Sequence, residues 1–197
     1  MISVHPSVSA SNLPELIAYL KANPGKLSIA TEGPRNLGGM MTEYFMALTG
    51  TQMIHTPYNG AAAGLTAAIA GQSQVAMQSA TATSPHAKAG KLRPIAVTSG
   101  SVVPGFENVP PLKNTYPDFE YVGWYMLYAP AGTPADIVAR VNRDMDRVMK
   151  EPDTAKKLSD LGPVLEGAGT PESLARFTRQ EHANWARLTK AINFQPE

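Results

Sequence analysis

The chain has 197 residues, 43% hydrophobic and 17% charged, which suits one large domain or two small lobes and excludes a disordered chain. Its net charge of +1 comes without a basic or acidic block, so charge gives no reason to expect a nucleic-acid partner. Cysteine is absent, which excludes disulfides, thiolate metal sites and thiol nucleophiles. No apolar run approaches the ~18 residues of a membrane helix.

In chain order, Ile2 to Val4 is too short to classify beyond the tail of a strand. Residues 1–5 lack the basic start and apolar core of a signal peptide. Ser11-Asn12-Leu13-Pro14-Glu15 starts a helix, with a polar cap, an early proline and an acid in the first turn. Leu13, Leu16, Ile17 and Leu20 then share one face, and Asn23-Pro24-Gly25 stops it. Leu27 to Ala30 reads as a buried strand. A helix carrying Met40, Met41, Tyr44, Phe45 and Leu48 ends at Gly50. Gln52 to His55 is the next strand, Ala61 to Ala70 the next helix, Val75 to Met77 a strand, Ser84 to Ala89 a helical turn and Ile95 to Thr98 another strand. This βα alternation with short loops favours a parallel sheet covered by helices.

Residues 100–120 break the pattern: Pro104, Gly105, Pro110, Pro111 and Pro117 make an irregular excursion out of the first lobe. Tyr121 to Ala129 is the longest strand candidate. Thr133-Pro134-Ala135-Asp136 caps an amphipathic helix with Ile137, Val138, Val141, Met145, Val148 and Met149 on one face. Pro152 to Leu161 is a second helix and Pro163 to Leu165 a short strand. Thr170-Pro171-Glu172 caps a last helix to about Lys190, with Leu174, Phe177, Trp185 and Leu188 inward.

Two loops stand where such alternation gathers ligands, at one edge of the sheet. The first is Thr31-Glu32-Gly33-Pro34-Arg35-Asn36, the second Thr56-Pro57-Tyr58-Asn59-Gly60. The backbone N–H groups of Leu37, Gly38 and Gly39 at a helix start suit a carboxylate, and the glycines allow close approach. The plainer reading makes Asn36 a helix cap and the glycines an aid to packing. Tyr58, beside Asn59 and Gly60, either covers a ligand or packs on the surface of a turn. Gln78 and Ser79 follow a strand at the same edge, where they hydrogen-bond a ligand or cap the next turn. With Thr31, Gly33 and Arg35, these are the candidate ligand-binding residues. The histidines His5, His55, His86 and His182 are scattered, and Ser79 and Ser84 lack a nucleophile-elbow context. No catalytic residue, metal or other cofactor is therefore expected.

Six segments in unbroken order resemble the solute receptors of tripartite tricarboxylate transporters, the Bug-type receptors. They are 22–27 (Ala-Asn-Pro-Gly-Lys-Leu), 55–60 (His-Thr-Pro-Tyr-Asn-Gly), 85–93 (Pro-His-Ala-Lys-Ala-Gly-Lys-Leu-Arg), 95–98, 129–134 (Ala-Pro-Ala-Gly-Thr-Pro) and 169–172 (Gly-Thr-Pro-Glu). The resemblance implies an α/β fold of the periplasmic-binding-protein type II class and a periplasmic location. It also implies a small carboxylate between two lobes and delivery to permease subunits in the membrane. Family chains begin with a signal peptide and a glycine-rich loop that this sequence does not show. The expected organisation is therefore one complete doubly wound lobe, residues 7–100, a crossover at 101–120, and residues 1–6 and 121–197 as the C-terminal half of the other lobe. The apolar faces of 121–197 would then lack covering partners, and self-association is an expected outlet. A second departure is Glu32, Pro34 and Arg35, where the family has small residues and threonines.

Three functions compete. A ligand-capturing receptor fits the loops and the resemblance. A cytoplasmic effector-sensing domain of the same fold fits the length, but no DNA-binding helix pair precedes the core. An enzyme is weakest, because no acid, base or nucleophile converges.

Overall fold

The computed structural model describes residues 1–33, 35–161 and 167–195. Along the chain they form β1 (Ile2–Val4), α1 (Leu13–Ala22), β2 (Ser28–Thr31), α2 (Leu37–Thr49), β3 (Ile54–Pro57), α3 (Ala61–Ile69), β4 (Val75–Met77), α4 (Ala80–Lys88), β5 (Arg93–Ala96), α5 (Ala135–Lys150), α6 (Pro152–Leu161) and α7 (Pro171–Ala191). The contacts divide into two units, residues 1–123 with 189–197, and residues 124–188.

The first unit holds one mixed sheet in the order β3-β2-β4-β1-β5. β2 runs parallel to β3 and to β4, as βα alternation requires. β1 is antiparallel to both of its neighbours, with Ile2 opposite Met77 and Val4 opposite Val75. This corrects two expectations: the sheet is not wholly parallel, and residues 2–4 lie inside it rather than apart from it. Three residues give no periodicity to read, but complete burial of Val4 and near-complete burial of Ile2 show what drives them inward.

The ladder continues one residue beyond β1. The Met1 α-amino group donates to Gln78 O at 2.8 Å, and Gln78 N donates back to Met1 O at 3.1 Å. The nitrogen thus stands where a strand amide would stand, buried, and loss of water holds its pKa down at about 5.

Local sequence explains the helices around the sheet. Asn12 caps α1 through Glu15 N at 3.0 Å, while the Glu15 carboxylate takes Ser11 N at 2.7 Å, a reciprocal capping arrangement. Leu13, Leu16 and Leu20 are its buried face. α2 ends at Gly50, whose φ of 63° is the left-handed cap a glycine adopts without strain. α4 begins earlier than expected, at Ala80 rather than Ser84, and passes through Pro85. The Thr83 and Ser84 hydroxyls bond back to Ser79 O and Ala80 O at 2.9 and 2.6 Å near that proline.

Residues 101–123 return to the sheet. Val97 bridges Pro111, and Tyr121 N donates to Thr98 O at 2.9 Å. Phe119 stacks on Tyr44 at 5.3 Å and meets Phe45 and Tyr121 edge-on, so an aromatic cluster fastens this segment to α2.

In the second unit the expected strand is absent. Residues 121–130 form no regular element, and no strand pairs with them among the described residues. Tyrosine, tryptophan and alternating apolar residues favour a strand only where a neighbour completes the ladder. The segment is instead held by side chains along α7: Trp124 Nε1 donates to Glu181 Oε2 at 3.0 Å, and Tyr128 bonds Thr178 at 3.2 Å. α5 starts where expected, but Pro134 at its N-cap position makes no side-chain cap bond and the Thr133 hydroxyl donates back to Pro130 O at 2.8 Å. Ile137, Val141, Met145 and Val148 are 49%, 41%, 39% and 38% exposed, an apolar row left open to solvent. The strand expected at 163–165 lies outside the described residues.

Candidate functional site

The parallel strands β2, β3 and β4 end at one edge, and α2, α3 and α4 start there. One hydrogen bond ties the first two loops together, and a second closes the first loop on itself. Tyr58 N donates to Thr31 O at 2.8 Å, and the buried Thr31 Oγ1 accepts from Gly33 N at 3.1 Å. Gly33 has a φ of 115°, a conformation that a side chain would strain.

Asn36 occupies the N-cap position of α2 but makes no side-chain cap bond. Its Nδ2 turns back to Glu32 O at 2.6 Å instead and closes the loop. The N-cap of α3 is Gly60, which has no side chain to offer. Two helix starts therefore present first-turn N–H groups without a capping side chain, and each carries partial positive charge. The third differs: Ser79 is exposed and caps α4, accepting from Ala82 N at 3.2 Å. Of its two readings, the cap is the one with a visible bond.

Small residues bring α2 and α3 close to the end of β4. A Cβ built at Gly38 would lie 3.4 Å from Met77 O and 3.2 Å from Glu32 Oε2. A Cβ at Gly64 would lie 3.4 Å from Gln78 Nε2 and 3.8 Å from the Tyr58 ring. Gln78, Gly64 and Tyr58 thus surround one spot. Gln78 is 7% exposed and its Nε2 has no hydrogen-bond partner among the described residues. An unpaired buried donor costs roughly 1–3 kcal/mol, and a ligand oxygen would relieve it. Tyr58 is half-buried, with its hydroxyl 3.5 Å from Ser73 Oγ. Arg35, Asn36, Leu37, Asn59 and Gly60 are exposed.

The geometry adds two residues to those read from the sequence as candidates. Glu32 is half-buried over the first turn of α2. Gly64 carried a signal, since glycine inside a helix costs about 1 kcal/mol against alanine and usually marks a close approach.

A cavity of about 600 Å³ opens elsewhere on this unit, lined by Glu43, Met46, Ala47, Met53, Ile54 and Ile192 among others. It lies at the opposite ends of β2 and β3, beside the last turns of α2. A helix C-terminus carries partial negative charge, and the Glu43 carboxylate there already meets His55 Nε2 at 2.9 Å, so this cavity offers little to an anion. The strand-end site is the better candidate for one.

Residues 1–194 match the model of the family described as "Tripartite tricarboxylate transporter family receptor". A UPF0065 protein of Pseudomonas sp. (strain P51) is 28% identical over 179 residues, which cover 90% of this chain and 53% of that protein. Among solved structures, R. palustris Rpa4515 with adipate shares 27% identity at a TM-score of 0.83, covering 100% of this chain and 66% of the other. The periplasmic binding protein BugD shares 26% identity at a TM-score of 0.81, with the same coverage. The chain spans about half the length of the curated relative and about two thirds of the solved chains. The fold is accordingly that of these periplasmic solute-binding proteins in part, a doubly wound lobe with a portion of a second, and the chain belongs to the tripartite tricarboxylate transporter receptor family.

Proposed function

We propose that this chain is the ligand-capturing part of a periplasmic receptor, which binds a small carboxylate at the ends of β2, β3 and β4 and presents it to membrane permease subunits. It acts by binding and does no chemistry on its ligand. The observation that carries this reading is the buried, unpaired Gln78 Nε2 beside Gly64 of α3, at the strand edge where two helix starts lack capping side chains. A carboxylate oxygen supplies the acceptor this donor lacks, and the helix starts offset its charge. The adipate on the solved relative supports the ligand class. Thr31, Gly33, Arg35, Asn36, Leu37, Gly38, Tyr58, Asn59, Gly60, Gln78 and Ser79 form the proposed site, with Arg35 as its cation. No helix among the described residues is long and apolar enough to cross a membrane.

Titration calorimetry against mono- and dicarboxylates tests the proposal, with Gln78→Met as the variant. Methionine keeps the volume and removes the unpaired donor. Folding stability should hold or rise, because an unsatisfied polar group is lost, while carboxylate affinity falls roughly tenfold or more. Unchanged affinity in a folded Gln78→Met variant, or no heat from any carboxylate, sinks the reading.

A further inference from the structure

The same strand-end site holds a carboxylate of its own. Glu32 follows the last residue of β2, and Asn36 Nδ2 grips its carbonyl at 2.6 Å. Its Oε2 lies 3.2 Å from the Cβ position of Gly38, over the first turn of α2. No described residue hydrogen-bonds or ion-pairs this carboxylate. α2 has no acid in its own first turn and no capping side chain, and Glu32 places its carboxylate against that turn from the loop before it.

Two unpaired groups of opposite kind therefore flank the ends of β2 and β4. Gln78 Nε2, more than nine-tenths buried, offers a donor beside Gly64, and Glu32 offers an anionic acceptor beside Gly38. A ligand with a carboxylate at each end would bring one of them against Glu32, where like charges repel. A ligand with a carboxylate at one end and an ammonium at the other pairs both groups.

We propose that Glu32 sets the ligand class of this site, selecting amine-bearing carboxylates over dicarboxylates. This rests on the carboxylate reading above. A charge-assisted hydrogen bond from an ammonium to a carboxylate is gained with one class and replaced by repulsion with the other. The difference amounts to about tenfold or more in affinity.

The test is titration calorimetry at neutral pH with length-matched probes. Adipate is set against 5-aminopentanoate, and succinate against 3-aminopropanoate, on the chain as it stands and on Glu32→Gln. The amine-bearing probe of a pair should bind about tenfold tighter to the unmodified chain, and Glu32→Gln should erase or reverse that ratio. Equal or tighter dicarboxylate binding to the unmodified chain overturns the proposal with no variant needed. So does a ratio that Glu32→Gln leaves in place. In either case, carboxylate binding that Gln78→Met weakens keeps the receptor reading standing. If no probe of either class binds, both fall together.

Discussion

Gly64 and Gln78 face each other across the gap between α3 and β4, with 3.4 Å from the Gln78 Nε2 to the place a Gly64 Cβ would take. Ala30 Cβ lies 3.5 Å from the same place. A methyl group therefore just fits, and it occupies the space in front of the unpaired donor. Gly64→Ala should raise helix propensity by up to about 1 kcal/mol, part of it offset by the tight contact. Ligand affinity should fall in the same variant. Thermal melts and calorimetry on one preparation check this, and a variant that binds as tightly as the parent shows that ligands do not use this space.

The second expectation concerns pH. With a free amine at Met1, the folded state holds that group at about 5 against 8.0 for the ordinary amine. Between those values the unfolded chain carries a proton there that the folded chain does not. Stability then rises with pH across the window and is lost as pH falls from 8 toward 5. The full span is on the order of 4 kcal/mol at 1.36 kcal/mol per unit. Acetylating the amine, or placing residues before Met1, leaves an amide that still donates to Gln78 O but does not titrate. Melting curves from pH 5 to 8 should slope for the free amine relative to the acetylated chain. Parallel curves for the two forms contradict the burial.

A third expectation contrasts two apolar positions. Phe119 is fully buried among Tyr44, Phe45 and Tyr121. Phe119→Ala should cost about 3–5 kcal/mol, the range for removing a buried aromatic ring. Val141, at 41% exposure on α5, should tolerate Val141→Lys within about 0.5 kcal/mol. Denaturant titration measures both, and a large loss at Val141 would mean that the α5 row is covered in solution.

Much of the architecture could be read before any coordinates. Asn12 with Glu15, Gly50 after an apolar helix and Thr133-Pro134 before another are local signals, and the helices they bound form where expected. Strand partners are not local. Nothing near Ile2 says that its neighbours will be Met77 and Ala96, or that it will run against both. Residues 121–129 carry strand-forming side chains, yet strand character depends on a second chain segment that lies beside them. The candidate site shows the same division. The loops and the glycines at 33, 38 and 60 were visible as breaks in periodicity. The proximity of Gly64 to Gln78, and of Glu32 to Gly38, comes from how α2 and α3 lie on the sheet, which spacing along the chain does not encode.

The place of β1 inside the sheet, between β4 and β5, bears on how the lobe assembles. Its two neighbours lie more than 70 and about 90 residues downstream. Among the five strands of this sheet β1 comes first along the chain and its two neighbours come last, so the sheet cannot close by successive addition along the chain. β2, β3 and β4 can associate early through short crossovers, while β5 waits for the amino-terminal residues to insert beside β4. The insertion closes a long loop, an event of high contact order and slow rate. Until it happens, the edge of β4 and the underside of β5 stand open, and the backbone of Gln78 is unfixed by Met1. The last step of folding would also be the one that sets the proposed binding residue in its place.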